Sequence, residues 1–377
     1  MSAQGPGPSG RPGPRNALTD VAGLRVGSAH DDALRTGVTV ILPDAPAVAA
    51  VDVRGGGPGT RETEALAPSS SVRQAHAVVL SGGSALGLGA GDAVAAALSA
   101  GGAGLQVQPD HPPVPIVPAA ILYDLTPQAR AAFAEQGPPH PRLARAALAA
   151  ARAEGGGEVA EGSAGAGRGA HAGRLKGGQG TSSSLLDGLS AEGPVTAAAL
   201  VCANPVGSVV MPGAAAFWAW PLERRLDDGW EFGGVRPPAD LAPTLDPLPD
   251  EGRIALARAA ALGASTLIAV VATDLSLTSG EARRVAMMAH DGFARAARPA
   301  HTPFDGDTIF VLSTGRLAAS APSPLAIAAL GSAAADAVAR ATARGVFLAR
   351  GDAGGAPAWS DLPGAVASPL ASTETAG

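Results

Sequence analysis

Apolar residues in this chain fall in short runs closed by glycine or proline, alternating with alanine-rich stretches of helical spacing. Asn16 to Pro43 reads as short strands and turns, with Gly37 to Leu42 a buried strand stopped by Pro43. Ala47 to Val53 predicts a strand running into Arg54-Gly55-Gly56-Gly57. Ala77 to Leu80 predicts another, followed by the turn Ser81-Gly82-Gly83-Ser84 and a helix from Ala85 to Leu98. Residues 115–125 predict a strand, and Pro141 to Ala153 a helix.

The segment from about Gly155 to Gly180 is glycine-rich and too long for a mere connection, so it is a functional or a mobile loop. A strand at Val195 to Cys202, a polar proline-rich stretch from Pro221 to Pro249 and a helix near Arg253 to Leu262 follow. The last third predicts strand Leu267 to Thr273, helix Gly280 to Arg298, loop His301 to Asp307, strand Thr308 to Leu312 and helix Pro324 to Arg344. In the first of those helices Val285, Met288, Ala289, Gly292 and Phe293 share one face, which predicts its burial. Grouped strands and helices of this kind fit layered sheets with helices outside.

Composition narrows the function classes. The chain has 377 residues and is 46% hydrophobic, enough for a sizeable core, but only 3% aromatic, so alanine and branched aliphatics must fill it. Against that background the single tyrosine, Tyr123, stands out. A net charge of -6 without a basic cluster argues against nucleic acid, and no apolar run reads as a membrane span. The opening GPGPSGRPGPR has no apolar stretch, which leads to the expectation of a cytoplasmic protein. The lone Cys202 forms no internal disulfide and reads as a small buried residue.

Candidate chemistry centres on Ser265-Thr266, two hydroxyl residues at the mouth of an apolar strand. Such residues either satisfy backbone groups or supply a nucleophile. Asp305 and Asp307, spaced around Gly306 just before a strand, form either a plain turn or a site with two carboxylates on one point. The run is too short of oxygen ligands for a calcium loop. Lys176, in Arg174-Leu175-Lys176-Gly177-Gly178, is either a solvated cation or an anion stabiliser approached closely through glycine backbone. Asn204, in Asn204-Pro205-Val206-Gly207, is either a turn former or an oxyanion donor.

The Gly82-Gly83-Ser84 turn misses the dinucleotide-binding glycine spacing, and Leu86 stands where a hydrolase elbow needs glycine. The helix-start amides of Gly83 and Ser84 can still receive an anion. Scattered histidines and the absence of paired cysteines or H-E-x-x-H support no metal and no cofactor.

In order along the chain, NALTDVAGLRVG, VDVRGGGPGTRE, VVLSGGSALGL, VPAAILYDL, GRLKGGQG, ANPVG, VVATD, MMAHDG and HTPFDGDT resemble the family of DmpA-type aminopeptidases, β-peptidyl aminopeptidases and nylon-oligomer hydrolases. The resemblance spans nearly the whole chain and implies an α+β fold of four layers, α-β-β-α. It also implies self-cleavage between Ser265 and Thr266, counted back from Asp274, and processed units that assemble as a homo-oligomer, a tetramer. The expected division is a tail at 1–15, a large chain to 265, a small chain at 266–365 in the same fold and a tail at 366–377. By the same matching Lys176, Asn204, Tyr123, Asp305 and Asp307 fall on positions that support catalysis. Ser265 departs from the family, where asparagine or glycine precedes the nucleophile, and this bears on the rate of processing.

The resemblance implies a self-processing amide-bond hydrolase acting on a small amide or peptide, with Thr266 as nucleophile and its freed α-amine as base. An acyltransferase of the ornithine-acetyltransferase type and an unprocessed small-molecule binding protein are the alternatives. Peptides with small amino-terminal residues, β-peptides, amino-acid amides and aminohexanoate oligomers all remain open as substrates.

Overall fold

A computed structural model describes residues 10–153, 158–239, 265–317, 324–352 and 355–366. Among them the strands build two main sheets. The first has five strands in the order β1 (Leu24–Asp31), β2 (Thr36–Pro43), β6 (Val78–Ser81), β7 (Ala119–Ile121) and β4 (Thr60–Arg61). The second has six: β10 (Gly178–Leu186), β11 (Val195–Asn204), β14 (Thr266–Leu275), β15 (Thr308–Leu317), β3 (Ala47–Val53) and β5 (Gln74–Ala75). Two-residue pairs, β8 (His171–Ala172) with β9 (Leu175–Lys176) and β12 (Arg225–Leu226) with β13 (Gly229–Trp230), lie apart from them.

The period-two alternation of β14 decides the layering. Leu267, Ala269 and Val271 face one way, into a core shared with helices α4 (Ser279–Ala296) and α5 (Pro324–Phe347). Ile268, Val270 and Ala272 face the other way and meet Val26, Ile41, Val78 and Leu80 of the five-stranded sheet. That sheet's outer side, with Val38, Val40 and Val79, packs on α1 (Gly89–Ala100) and α3 (His140–Arg152). Both sheets are therefore buried on two faces, which is why their strands read as continuous apolar runs. The order helix, sheet, sheet, helix is the α+β layering expected from the sequence. Each fully buried valine or leucine contributes about 1.5–3 kcal/mol of hydrophobic stabilisation, and Cys202 takes its place in the middle layer, its thiol pushed up by burial.

Several elements differ from the sequence reading. The segment from residue 158 to Gly180 is packed rather than loose: Gly165, Gly167 and Gly177 are buried, and it leads into β10. That strand escaped the hydrophobic pattern because its polar side chains are buried with partners. Thr181 Oγ1 donates to Ala199 O at 2.8 Å and Ser182 Oγ to Ala337 O at 2.7 Å. At Gly180 a Cβ would stand 2.1 Å from Ala341 O, so glycine is what lets α5 lie directly on the strand.

Only Ala119–Ile121 of the stretch 115–125 is strand, since Pro115 and Pro118 supply no amide to a ladder. Helix α2 (Pro127–Gln136) lacks an apolar face and went unread; Thr126 caps it, accepting from Ala129 N at 3.3 Å. The helix expected near Arg253 to Leu262 lies outside the described residues.

The reading that no run is suited to a membrane span needs correction. Helix α5 is long and apolar enough by length and composition. Its place is the core, with most of the helix buried and the guanidinium of Arg340 in its midst.

Candidate active site

Thr266 is the first residue of β14 and pairs across the antiparallel ladder with Asn204, the last residue of β11. On the other side β14 runs parallel to β15, so the loop before β15 arrives beside the start of β14, and Ser265 bridges to Asp305. Three loci far apart in sequence thus meet at one end of the six-stranded sheet: the Ser265-Thr266 junction, the Asn204 turn and the acidic loop.

Both residues of the junction are buried, yet Ser265 lines a cleft of about 670 Å³. Tyr123, His171, Arg174, Asn204 and Leu362 line the same cleft. The Thr266 hydroxyl donates to the carbonyl oxygen of Ser265, which also accepts from Gly306 N at 3.0 Å. A Cβ on Gly306 would lie 2.9 Å from Thr266 Oγ1, so glycine keeps room for the hydroxyl.

The two aspartates fasten the junction from the backbone side. Asp307 Oδ1 accepts from Leu267 N at 2.8 Å, and its Oδ2 accepts from His301 N at 3.0 Å and lies 2.7 Å from His301 Nδ1. Asp305 Oδ2 accepts from the amide and hydroxyl of Thr302 at 2.8 and 2.6 Å, and Oδ1 from Val206 N at 3.3 Å. One carboxylate therefore holds the start of β14 and the other the Asn204-Pro205-Val206 turn. Burial, with the like charge of Asp307 adding to it, pushes Asp305 up to about 6.

The glycines after β3 have a purpose the sequence did not disclose. Arg54 N donates to Asp307 O at 2.9 Å and Gly57 N to Asp305 O at 2.8 Å. A Cβ on Gly55 would stand 2.3 Å from Asp305 O, so the Gly-Gly-Gly run lets backbone meet backbone under the acidic loop.

Asn204 is oriented by its neighbours: its Oδ1 accepts from His171 N at 2.8 Å, and its Nδ2 donates to Tyr123 O at 3.4 Å. This sets the amide nitrogen, the donor end, toward the cleft side where Tyr123 sits. Tyr123 is half-buried.

Lys176 is fully buried, and its Nζ donates to Arg168 O at 2.7 Å and Ala170 O at 3.2 Å and lies 3.3 Å from Asp352 Oδ2. Its ammonium is thus tied to the loop that carries His171, one residue beyond Ala170, and does not line the cleft. Burial lowers its pKa to about 8.

Gly83 and Ser84 are not brought to the junction. Gly83 N donates to Asp124 Oδ1 at 2.7 Å and Ser84 N to Leu122 O at 2.9 Å, so both amides expected to receive an anion are already spent. Asp124 and Asp352 were missed by sequence reasoning. Asp124 had one signal, its place directly after Tyr123; Asp352 had none, lying far from Lys176 along the chain.

Two solved aminopeptidase structures share this fold. A beta-aminopeptidase from Burkholderia sp. superposes with a TM-score of 0.65 at 24% identity, covering 93% of this chain and 92% of that one. The L-aminopeptidase D-Ala-esterase/amidase of Ochrobactrum anthropi, described as a new variant of the Ntn hydrolase fold, gives a TM-score of 0.63 at 23% identity over 90% and 88%.

The chain belongs to peptidase family S58, whose family model matches residues 16–356. An uncharacterized aminopeptidase of Mycobacterium tuberculosis is 40% identical over 376 residues, covering 94% of this chain and 100% of that protein. A 6-aminohexanoate-oligomer endohydrolase of Kocuria sp. is 31% identical over 310 residues, covering 79% and 75%. The protein is accordingly a hydrolase of peptide or other amide bonds.

Proposed function

We propose that the protein cuts itself between Ser265 and Thr266 and then hydrolyses small amides or peptides with Thr266 as nucleophile. The observation that carries this reading is the Thr266 hydroxyl lying against the Ser265 carbonyl at the cleft, with Asn204 directly across the ladder. In the self-cleavage, Thr266 Oγ1 bonds to the Ser265 carbonyl carbon, the peptide C–N bond breaks, and the hydroxyl proton passes to the departing nitrogen. Water then hydrolyses the resulting ester, leaving a Ser265 carboxylate and a free Thr266 amine.

With an unperturbed pKa of about 7.7–8.0, that amine is partly neutral near pH 7 and accepts the hydroxyl proton when Thr266 attacks a substrate. Asn204 Nδ2 supplies the hydrogen bond to the oxyanion, and losing such a donor costs roughly 2.7–4 kcal/mol of barrier. Asp305 and Asp307 hold the strand start and the Asn204 turn in register. Arg174 and Arg35 line the cleft together with apolar Leu125, Val206 and Leu362, which suits a short, largely apolar amide. Relatives named as an aminopeptidase and an aminohexanoate-oligomer endohydrolase support short amides built from amino acids as the substrate class.

The test is a Thr266→Ala variant assayed beside the wild type on amino-acid amides, short peptides and aminohexanoate oligomers. The variant should stay a single chain and hydrolyse none of them. Turnover by the variant at the wild-type rate would move the nucleophile elsewhere.

A further inference from the structure

Lys176 precedes the proposed cut and Asp352 follows it, so their ion pair joins the two halves of the chain. Lys176 offers three ammonium protons to three acceptors: Arg168 O, Ala170 O and Asp352 Oδ2. Only the charged form can serve all three, because a neutral amine keeps two protons. Asp352 also receives Arg168 Nη1 on Oδ1 at 2.9 Å, so it grips the side chain of the residue whose carbonyl Lys176 grips. The backbone of Lys176 is fixed from the same segment, its amide donating to Pro357 O at 2.8 Å. The 168–170 loop is clamped at both ends, and the next residue, His171, donates the amide that orients Asn204.

We propose that Asp352 is a positioning residue for amide hydrolysis: it keeps Lys176 charged and thereby holds the loop that aims Asn204 at the oxyanion. The inference rests on the reading of Thr266 and Asn204 given above. It also makes the site incomplete without the chain segment that follows α5.

The charges around Lys176 set the sign of the test. Asp352 and the buried Asp124 favour its ammonium; Arg168 and burial oppose it. His171 and Arg35 face the same pair, and Asp32 binds Arg168 from outside. With its pKa at about 8, Lys176 should set the alkaline limb of the activity profile. Removing the Asp352 charge lowers that pKa further, and removing the Arg168 charge raises it.

The experiment is the pH dependence of kcat with an amino-acid p-nitroanilide, for the wild type, Asp352→Asn, Asp352→Glu and Arg168→Gln. In Asp352→Asn the alkaline limb should move down by on the order of one pH unit, with KM little changed. Asp352→Glu should restore most of it. Arg168→Gln should move the limb upward, which keeps the test alive if Asp352→Asn fails to fold. An active wild type with variant curves merely scaled, their limbs unmoved, overturns this inference alone. An uncut and inactive wild type overturns both it and the functional reading.

Discussion

Asn204 and Thr266 stand directly opposite each other on antiparallel β11 and β14, although they lie 62 positions apart in the sequence. The pairing puts the proposed oxyanion donor and the proposed nucleophile on one rigid sheet, where register rather than loop conformation sets their geometry. Replacing Asn204 with alanine should lower kcat by about 10²–10³ with a much smaller change in KM. Steady-state kinetics on the processed enzyme checks this; a variant with wild-type kcat would remove Asn204 from the mechanism.

Asp305 and Asp307 share one loop, and the charge of Asp307 helps hold Asp305 up at about 6. Replacing Asp307 with asparagine removes that like charge, so the pKa of Asp305 should fall. The acid limb of the kcat profile has two steps, that of the Thr266 amine and, below it, that of Asp305 holding the Asn204 turn, and the lower step should move to lower pH in the variant. A limb that stays in place would separate Asp305 from the activity.

Asp124 carries a buried carboxyl pushed up to about 7 by burial, with the Gly83 amide pulling the other way. A carboxyl whose folded pKa is raised favours the folded state below its ordinary pKa, and this advantage is lost as pH rises through about 7. An asparagine at the position still accepts from Gly83 N and has no charge to bury. Asp124→Asn should therefore gain stability over the wild type at pH 8, on the order of 4 kcal/mol, and little at pH 4. Chemical denaturation at the two pH values reads the difference, and an equal effect at both would refute it.

Arg340 of α5 and Glu231 form a fully buried ion pair, and Asn16 completes it through hydrogen bonds to both. The pair joins residues on either side of the proposed cut. Replacing Arg340 with methionine leaves the Glu231 carboxylate buried without its cation, at a cost of about 3–5 kcal/mol. The thermal midpoint should drop and the processed chains should separate more readily on size-exclusion chromatography.

Legibility in the sequence followed the physics of each segment. Strands β14 and β15 and helix α4 were readable because both sheet faces are buried and Val285, Ala289 and Phe293 mark one helix face. Strand β10 was not, because Thr181, Ser182 and Ser183 are polar residues whose burial depends on partners elsewhere in the chain.

The same limit held at the site. Thr266, Asn204, Asp305 and Asp307 occupy the ends of readable elements, so their convergence could be anticipated from order and resemblance. Asp352 could not, since its relation to Lys176 exists only once α5 has crossed the sheet. The amides of Gly83 and Ser84 had the right local chemistry for an anion, but Asp124 and Leu122 had already claimed them.

The proposed cut turns Thr266 into a chain terminus. Amino-terminal sequencing and intact mass of the purified wild-type protein test it most directly. Two chains that stay together until denatured are expected, the smaller beginning Thr-Leu-Ile-Ala at Thr266. A single full-length chain after prolonged incubation, or a fragment beginning at any other residue, would contradict it.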